Sequence, residues 1–143
     1  MPKISRIVAR EILDSRAMPT VEVALLADSG HWSVASVPSG ISSGKNEDIE
    51  LRDNDPARYH GNGVLKAVNN VNTILAPALL GHEITDQEGI DAIMLKLDGT
   101  SNQSKLGSNS ILAVSIAALK TAASTYKLPL FRYIQKRYRP ANT

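Results

Sequence analysis

Apolar and polar residues alternate through the first quarter of the chain and later switch to a helical spacing. Ile4 to Leu13 is rich in β-branched residues and roughly alternating, which predicts a strand. Thr20 to Leu25 alternates with period two and sets Val21, Val23 and Leu25 on one face. His31 to Val37 reads as a third strand. The three are separated by Asp14-Ser15-Arg16-Ala17-Met18-Pro19 and by Asp28-Ser29-Gly30, both rich in turn formers. Consecutive hairpins make a three-stranded antiparallel meander the most economical topology. Such a sheet cannot bury both faces alone, so the rest of the chain has to cover it.

Helical periods supply the cover. Val64, Val68, Val71 and Leu75 fall on one face of a helix over 64–75. Ile90, Ile93, Met94 and Leu97 form a second face, opened by the capping box Thr85-Asp86-Gln87-Glu88 and closed at Asp98-Gly99. Ser110 to Tyr126 is alanine-rich, with Ile111, Leu112, Ile116 and Leu119 as its larger apolar residues. Alanines permit close approach, so this is expected to be the most buried helix. Leu128-Pro129 breaks it, and Leu130 to Lys136 is a short amphipathic helix begun by that proline. Strands first and three to four helices second make the fold class α+β.

Between sheet and helices lies Val37-Pro38-Ser39-Gly40-Ile41-Ser42-Ser43-Gly44. A proline, two glycines and three serines suit neither a strand nor a helix interior. On residue types it is either a connection whose serines cap the next helix, or a loop offering N–H groups, carbonyls and hydroxyls to an anion or hard cation. The next segment, Glu47 to Pro56, holds Glu47, Asp48, Glu50, Asp53 and Asp55 and reads as a solvated acidic connection. It lacks the central glycine and terminal glutamate of a calcium loop.

Composition narrows the class. The 143 residues are 43% hydrophobic and 21% charged, enough for one domain with a real core. Cysteine is absent, which removes disulfide and thiolate chemistry. No apolar run reaches membrane-spanning length and the N-terminus has no signal-peptide character, so a cytoplasmic protein is expected. Net charge is +2, but residues 1–126 hold 11 basic against 14 acidic residues, while Lys127, Arg132, Lys136, Arg137 and Arg139 come after them without an acid. That basic end reads as a solvated helix terminus rather than a nucleic-acid surface, since no aromatic platform accompanies it. His31, His60 and His82 are scattered without ligand spacing, and no nucleophile elbow, Walker loop or dinucleotide fingerprint occurs. These residues contain no complete active site.

Several blocks, taken in order, resemble the N-terminal domain of the enolase family. They are Ala9-Arg10-Glu11-Ile12-Leu13-Asp14-Ser15-Arg16, Pro19-Thr20-Val21-Glu22-Val23, Val37-Pro38-Ser39-Gly40, and Glu50-Leu51-Arg52-Asp53. Gly63 to Val68, Leu97-Asp98-Gly99-Thr100, Ser104-Lys105-Leu106-Gly107 with Asn109, and Leu128-Pro129-Leu130 complete the set. The resemblance spans about Lys3 to Ile134. It implies a small α+β domain over 1–136, with 137–143 as a basic tail or the start of a linker to a (β/α) barrel that the 143 residues do not include.

The resemblance also implies a function. Enolases are hydro-lyases of glycolysis that dehydrate 2-phosphoglycerate to phosphoenolpyruvate with two Mg²⁺ ions and a lysine base. The metal-binding carboxylates and the acid/base pair belong to the barrel, so this chain alone is expected to be inactive. Its share would be the substrate-covering loop Ser39, Gly40, Ile41, Ser42, Ser43 and Gly44, with Ser42 as the one magnesium ligand. Arg10 and Glu22 match intersubunit ion-pair positions, which implies a homodimer in which this domain meets the partner's barrel. The alternative is a non-catalytic, enolase-derived binding or dimerisation module. Against the family pattern, the usual Gly-Asn of the first turn is Ala17-Met18, and the usual alanine and threonine of the loop are Ile41 and Ser43. Ala-Met does not tolerate positive φ as Gly-Asn does, so that turn must differ or be strained. The β-branched Ile41 should stiffen the loop.

Overall fold

A computed structural model describes residues 1–40 and 47–139. Three strands, β1 (Ile4–Leu13), β2 (Pro19–Ala27) and β3 (Trp32–Ser36), form one antiparallel sheet in the order β1-β2-β3. The register sets Arg10 opposite Glu22, Glu11 opposite Val21, and Val23 opposite Ala35. Val21, Val23 and Leu25 are all buried, as their period predicts. In β1 the buried positions are Ile4, Ile7 and Ala9, because a bulge between Ile4 and Arg6 inserts one residue and resets the alternation.

The helical layer comprises α1 (Leu65–Asn70), a π turn (Val71–Leu75), α2 (Ala76–Leu79), α3 (Gln87–Asp98), α4 (Ser108–Thr125) and α5 (Leu130–Arg137). The first three run on as one rod over 65–79, so four helical rods follow the sheet. Val64, Val71 and Leu75 are buried and Val68 packs against the core. The wide turn precedes Pro77, whose ring excludes the carbonyl four residues back and whose nitrogen has no hydrogen to donate. Apolar spacing cannot report that shift.

α4 lies across β2 and β3, while the 65–79 rod covers β1. The buried residues of α4 are mainly Ala113, Val114, Ala117, Ala118, Thr121, Ala122 and Ala123. Leu112, one of its larger apolar residues, is 46% exposed. Alanines bring the helix close enough for Ser33 Oγ to donate to the Ala117 carbonyl at 3.0 Å and to meet Thr121 Oγ1 at 2.6 Å. This is the close approach expected of the most buried helix.

The N-terminus of α3 corrects the expected capping box. Asp86, not Thr85, is the N-cap, and its side chain accepts the Gly89 N–H. Thr85 Oγ1 donates to Glu83 instead, and Glu88 pairs with Arg137 at 2.5 Å. A cap at Asp86 puts Gly89 at the third helical position, where no carboxylate can complete the box. α3 ends as predicted, with Gly99 left-handed at φ 71°. The following loop wraps the buried Asp98, whose carboxylate accepts the Leu106 N–H at 2.7 Å, the Thr100 N–H at 3.0 Å and the Thr100 hydroxyl. Burial pushes its pKa up, but these hydrogen bonds outweigh that and hold it below the usual carboxylate range.

Candidate functional site

The Ser/Gly connection leaves the sheet at the β1–β2 end. Val37 N–H donates to the Val21 carbonyl, and the Thr20 hydroxyl donates to the Val37 carbonyl. Ser39, although a loop residue, is 7% exposed. Its hydroxyl donates to Asp14 Oδ2 at 2.8 Å. One Arg16 nitrogen reaches both the Ser39 hydroxyl, at 2.6 Å, and the Ser39 carbonyl, at 3.0 Å. The other candidate loop residues, Ile41, Ser42, Ser43 and Gly44, lie outside the described residues.

Asp14 and Arg16 belong to the first hairpin turn, which is built by its own side chain. Asp14 Oδ1 accepts the N–H groups of Arg16, at 2.8 Å, and Met18, at 2.9 Å. Met18 returns its carbonyl to the Asp14 N–H. The Met18 N–H, helped by Ser39 and by the Arg16 amide and charge, holds the Asp14 carboxyl below its ordinary range against the opposing effect of burial. Ala17 sits at φ 59°. The substitution therefore leaves this turn strained rather than rebuilt, since the left-handed region costs a residue with a Cβ about 1–2 kcal/mol.

A second pair of charges holds the next residue. Gly40 N–H donates to Glu50 Oε1 at 2.6 Å, and Arg52 donates to Glu50 Oε2 at 2.9 Å. The other Arg52 nitrogen binds the carbonyls of Pro19, at 2.6 Å, and Asn62, at 2.8 Å. Pro19 opens β2 at the same turn, so Arg52 braces the turn from behind while Glu50 takes the chain leaving it.

This corrects the reading of the 47–55 acids as solvated for Glu50 and Asp53, while Glu47, Asp48 and Asp55 are exposed as expected. Asp53 accepts the Leu65 and Lys66 N–H groups at 2.8 Å each, capping α1 from outside the helix. Glu11 accepts the Val64 N–H at 2.8 Å and an Arg58 N–H at 2.5 Å. Asp48 accepts from Gln103, and Asp55 from the Ala57 N–H. The signal for Glu50 and Arg52 was present: two residues apart in extended chain, they share a side. Nothing local links Asp14 to Ser39, 25 positions away.

Arg10 and Glu22, the candidate interface pair, face each other across β1 and β2 with Arg10 Nε 2.6 Å from Glu22 Oε1. They lie on the sheet face away from the helices, with the exposed Val8 and Trp32. At the C-terminal end, α5 runs to Arg137, one residue past the boundary expected at 136, and Arg137 is ion-paired to Glu88. His82 Nε2 lies 3.1 Å from Asp86, while His31 and His60 are remote in sequence from this pair and from each other. Among the described residues, no three of His, Asp and Glu are grouped to hold a metal ion, and no helix is long and apolar enough to cross a membrane.

An antiparallel meander roofed by helices, with a buttressed Ser/Gly connection at one end of the sheet, is the architecture of a small α+β capping domain. The family model described as "Enolase, N-terminal domain" matches residues 4–134, and the chain belongs to that family.

Proposed function

We propose that this chain caps the barrel of an enolase that dehydrates 2-phosphoglycerate to phosphoenolpyruvate in glycolysis. The observation that carries this reading is the site at Ser39 and Gly40, within a family match over 4–134. Two adjacent loop residues are gripped by separate Asp–Arg and Glu–Arg pairs, where solvent would satisfy an ordinary surface connection. Such bracing supports a role in which the residues after Gly40 are delivered to a fixed place. In the proposed role, loop residues 39–44 cover the substrate and Ser42 supplies oxygen to one Mg²⁺.

The described residues do not by themselves form a magnesium site. The ion, where bound, would supply positive charge against an anionic substrate. Its remaining ligands and the acid/base pair would come from the barrel. What this chain contributes is orientation and exclusion of water. It is accordingly inactive alone. The test monitors phosphoenolpyruvate absorbance with 2-phosphoglycerate and magnesium. The 143-residue chain alone should give no signal, an enolase barrel alone little, and the two joined a rise that chelator abolishes. A rise from the chain alone, or none from the joined protein, overturns the reading.

A second feature supports a dimer. Arg10 is paired to Glu22 on an open sheet face beside exposed Val8 and Trp32, a mixed charged and apolar patch suited to a partner subunit. In the proposed cytoplasmic homodimer this face meets the partner's barrel. Without catalysis the same face would serve a dimerisation module. Sedimentation of the joined protein tests the face: Arg10→Ala should shift it toward monomer, and an unchanged dimer removes the face from the interface.

A further inference from the structure

A guanidinium on a carbonyl and a carboxylate on an N–H fix the orientation of individual peptide planes. At the first turn, Arg16 binds both the carbonyl and hydroxyl of Ser39, and Asp14 accepts from that hydroxyl while holding Arg16's own N–H. The result is a closed ring of hydrogen bonds through Asp14, Arg16 and Ser39. One residue later, Glu50 holds the Gly40 N–H. The two groups of the 39–40 peptide, the Ser39 carbonyl and the Gly40 N–H, are thus each held by a charged side chain from a different part of the chain.

We propose that Asp14 and Arg16 are positioning residues for the capping reaction, acting with Glu50 to fix the 39–40 peptide plane and so the direction in which the chain leaves Gly40. The inference rests on the capping role proposed above. It assigns a task to residues that touch neither substrate nor metal. Ala17 at φ 59° fits that assignment: a strained residue persists where the surroundings over-determine the backbone, and here its neighbour Arg16 is tied to Ser39 and Asp14 is tied to both. Removing Arg16 frees the Ser39 carbonyl and leaves the sheet's own ladder intact.

Two readouts separate the grip from its use. The first is hydrogen exchange of the Gly40 amide in the 143-residue chain, with the Val23 amide as a control within the sheet. Arg16→Ala should speed Gly40 exchange about tenfold, because the 39–40 plane freed at the Ser39 carbonyl no longer keeps the Gly40 N–H aligned on Glu50, and leave Val23 unchanged. Arg16→Lys, which keeps one charged donor, should recover part of the difference. The second is turnover by the chain joined to an enolase barrel. There Arg16→Ala should lower kcat roughly ten- to a hundredfold with KM little changed, and Arg16→Lys should again recover part. Gly40 exchange at the parent rate overturns the grip while leaving the capping role standing. Faster exchange with unchanged kcat overturns the positioning role. No turnover by the unmutated joined protein sinks the capping role, and the positioning role with it.

Discussion

Two hairpin turns of the same sheet, built from similar residues, do different things. The β2–β3 turn, Asp28-Ser29-Gly30, is relaxed. Gly30 takes the left-handed conformation at φ 87° with open space where a Cβ would be, and among the described residues the Ser29 hydroxyl bonds only to the nearby His31 ring. Among the described residues, the Asp28 side chain holds one group, the Lys3 N–H, also 25 positions away. In the β1–β2 turn the left-handed position is filled by Ala17, and Asp14 and Arg16 reach across to Ser39. One turn reverses the chain at low cost. The other stores strain and commits two charged side chains, Asp14 and Arg16, to the loop at Ser39. Strain and a charged pair gripping a loop coincide at the turn that the proposed function uses, which is where departures from local preference are expected.

The comparison can be broken most severely from behind the strained turn. Arg52→Met strips hydrogen bonds from the carbonyls of Pro19 and Asn62 and from Glu50, and should destabilise the domain by about 3 kcal/mol in denaturant unfolding. A cost equal to that of an exposed substitution would show the brace to be idle. Next, Ser39→Ala should cost about 1–2 kcal/mol by leaving Asp14 and Arg16 short of a partner, whereas Ser29→Ala should stay within about 0.5 kcal/mol. Equal effects would erase the distinction between the turns.

The turns should also respond in opposite senses to glycine. Ala17→Gly relieves the left-handed strain and should stabilise by about 0.5–1 kcal/mol, while Gly30→Ala introduces it and should cost about 1 kcal/mol. The smallest effect concerns acid. The Asp14 carboxyl is held low by the Met18 N–H first and by Ser39 and Arg16 next, so its contribution is fully present above the unfolded carboxylate pKa, near 4. It is lost as pH falls through the depressed folded value. A thermal unfolding series from about pH 6 to about pH 2 should show a shallower acid decline for Asp14→Asn than for the parent. Superimposable slopes would contradict the shift.

The strands were legible because a half-buried sheet imposes a period of two, and Val21, Val23 and Leu25 carry it without interruption. Where the backbone departs from a regular period, the pattern misleads. The bulge after Ile4 moves Ile7 rather than Arg6 inward, and the π turn before Pro77 leaves no mark in the apolar spacing. Thr85 satisfied the rule for a cap as well as Asp86 did, and only the helix's true first turn decides between them. Leu112 is exposed because in α4 the side facing the sheet is chosen by smallness, not by apolar bulk. The family resemblance pointed to the Ser/Gly connection and to Arg10 and Glu22. It could not disclose that Asp14, Arg16 and Glu50 converge on Ser39 and Gly40, with Arg52 behind Glu50, since those contacts join residues brought together only by the folded sheet.

The central claim, that a braced loop is delivered from this domain to a magnesium-dependent site, is most directly tested on Ser42. The chain is joined to an enolase barrel and phosphoenolpyruvate formation is measured over a range of magnesium concentrations, with and without Ser42→Ala. The account predicts magnesium-dependent turnover by the parent and a loss of about a hundredfold in kcat for Ser42→Ala. A parent without turnover, or a Ser42→Ala variant with the parent's kcat and magnesium dependence, contradicts it.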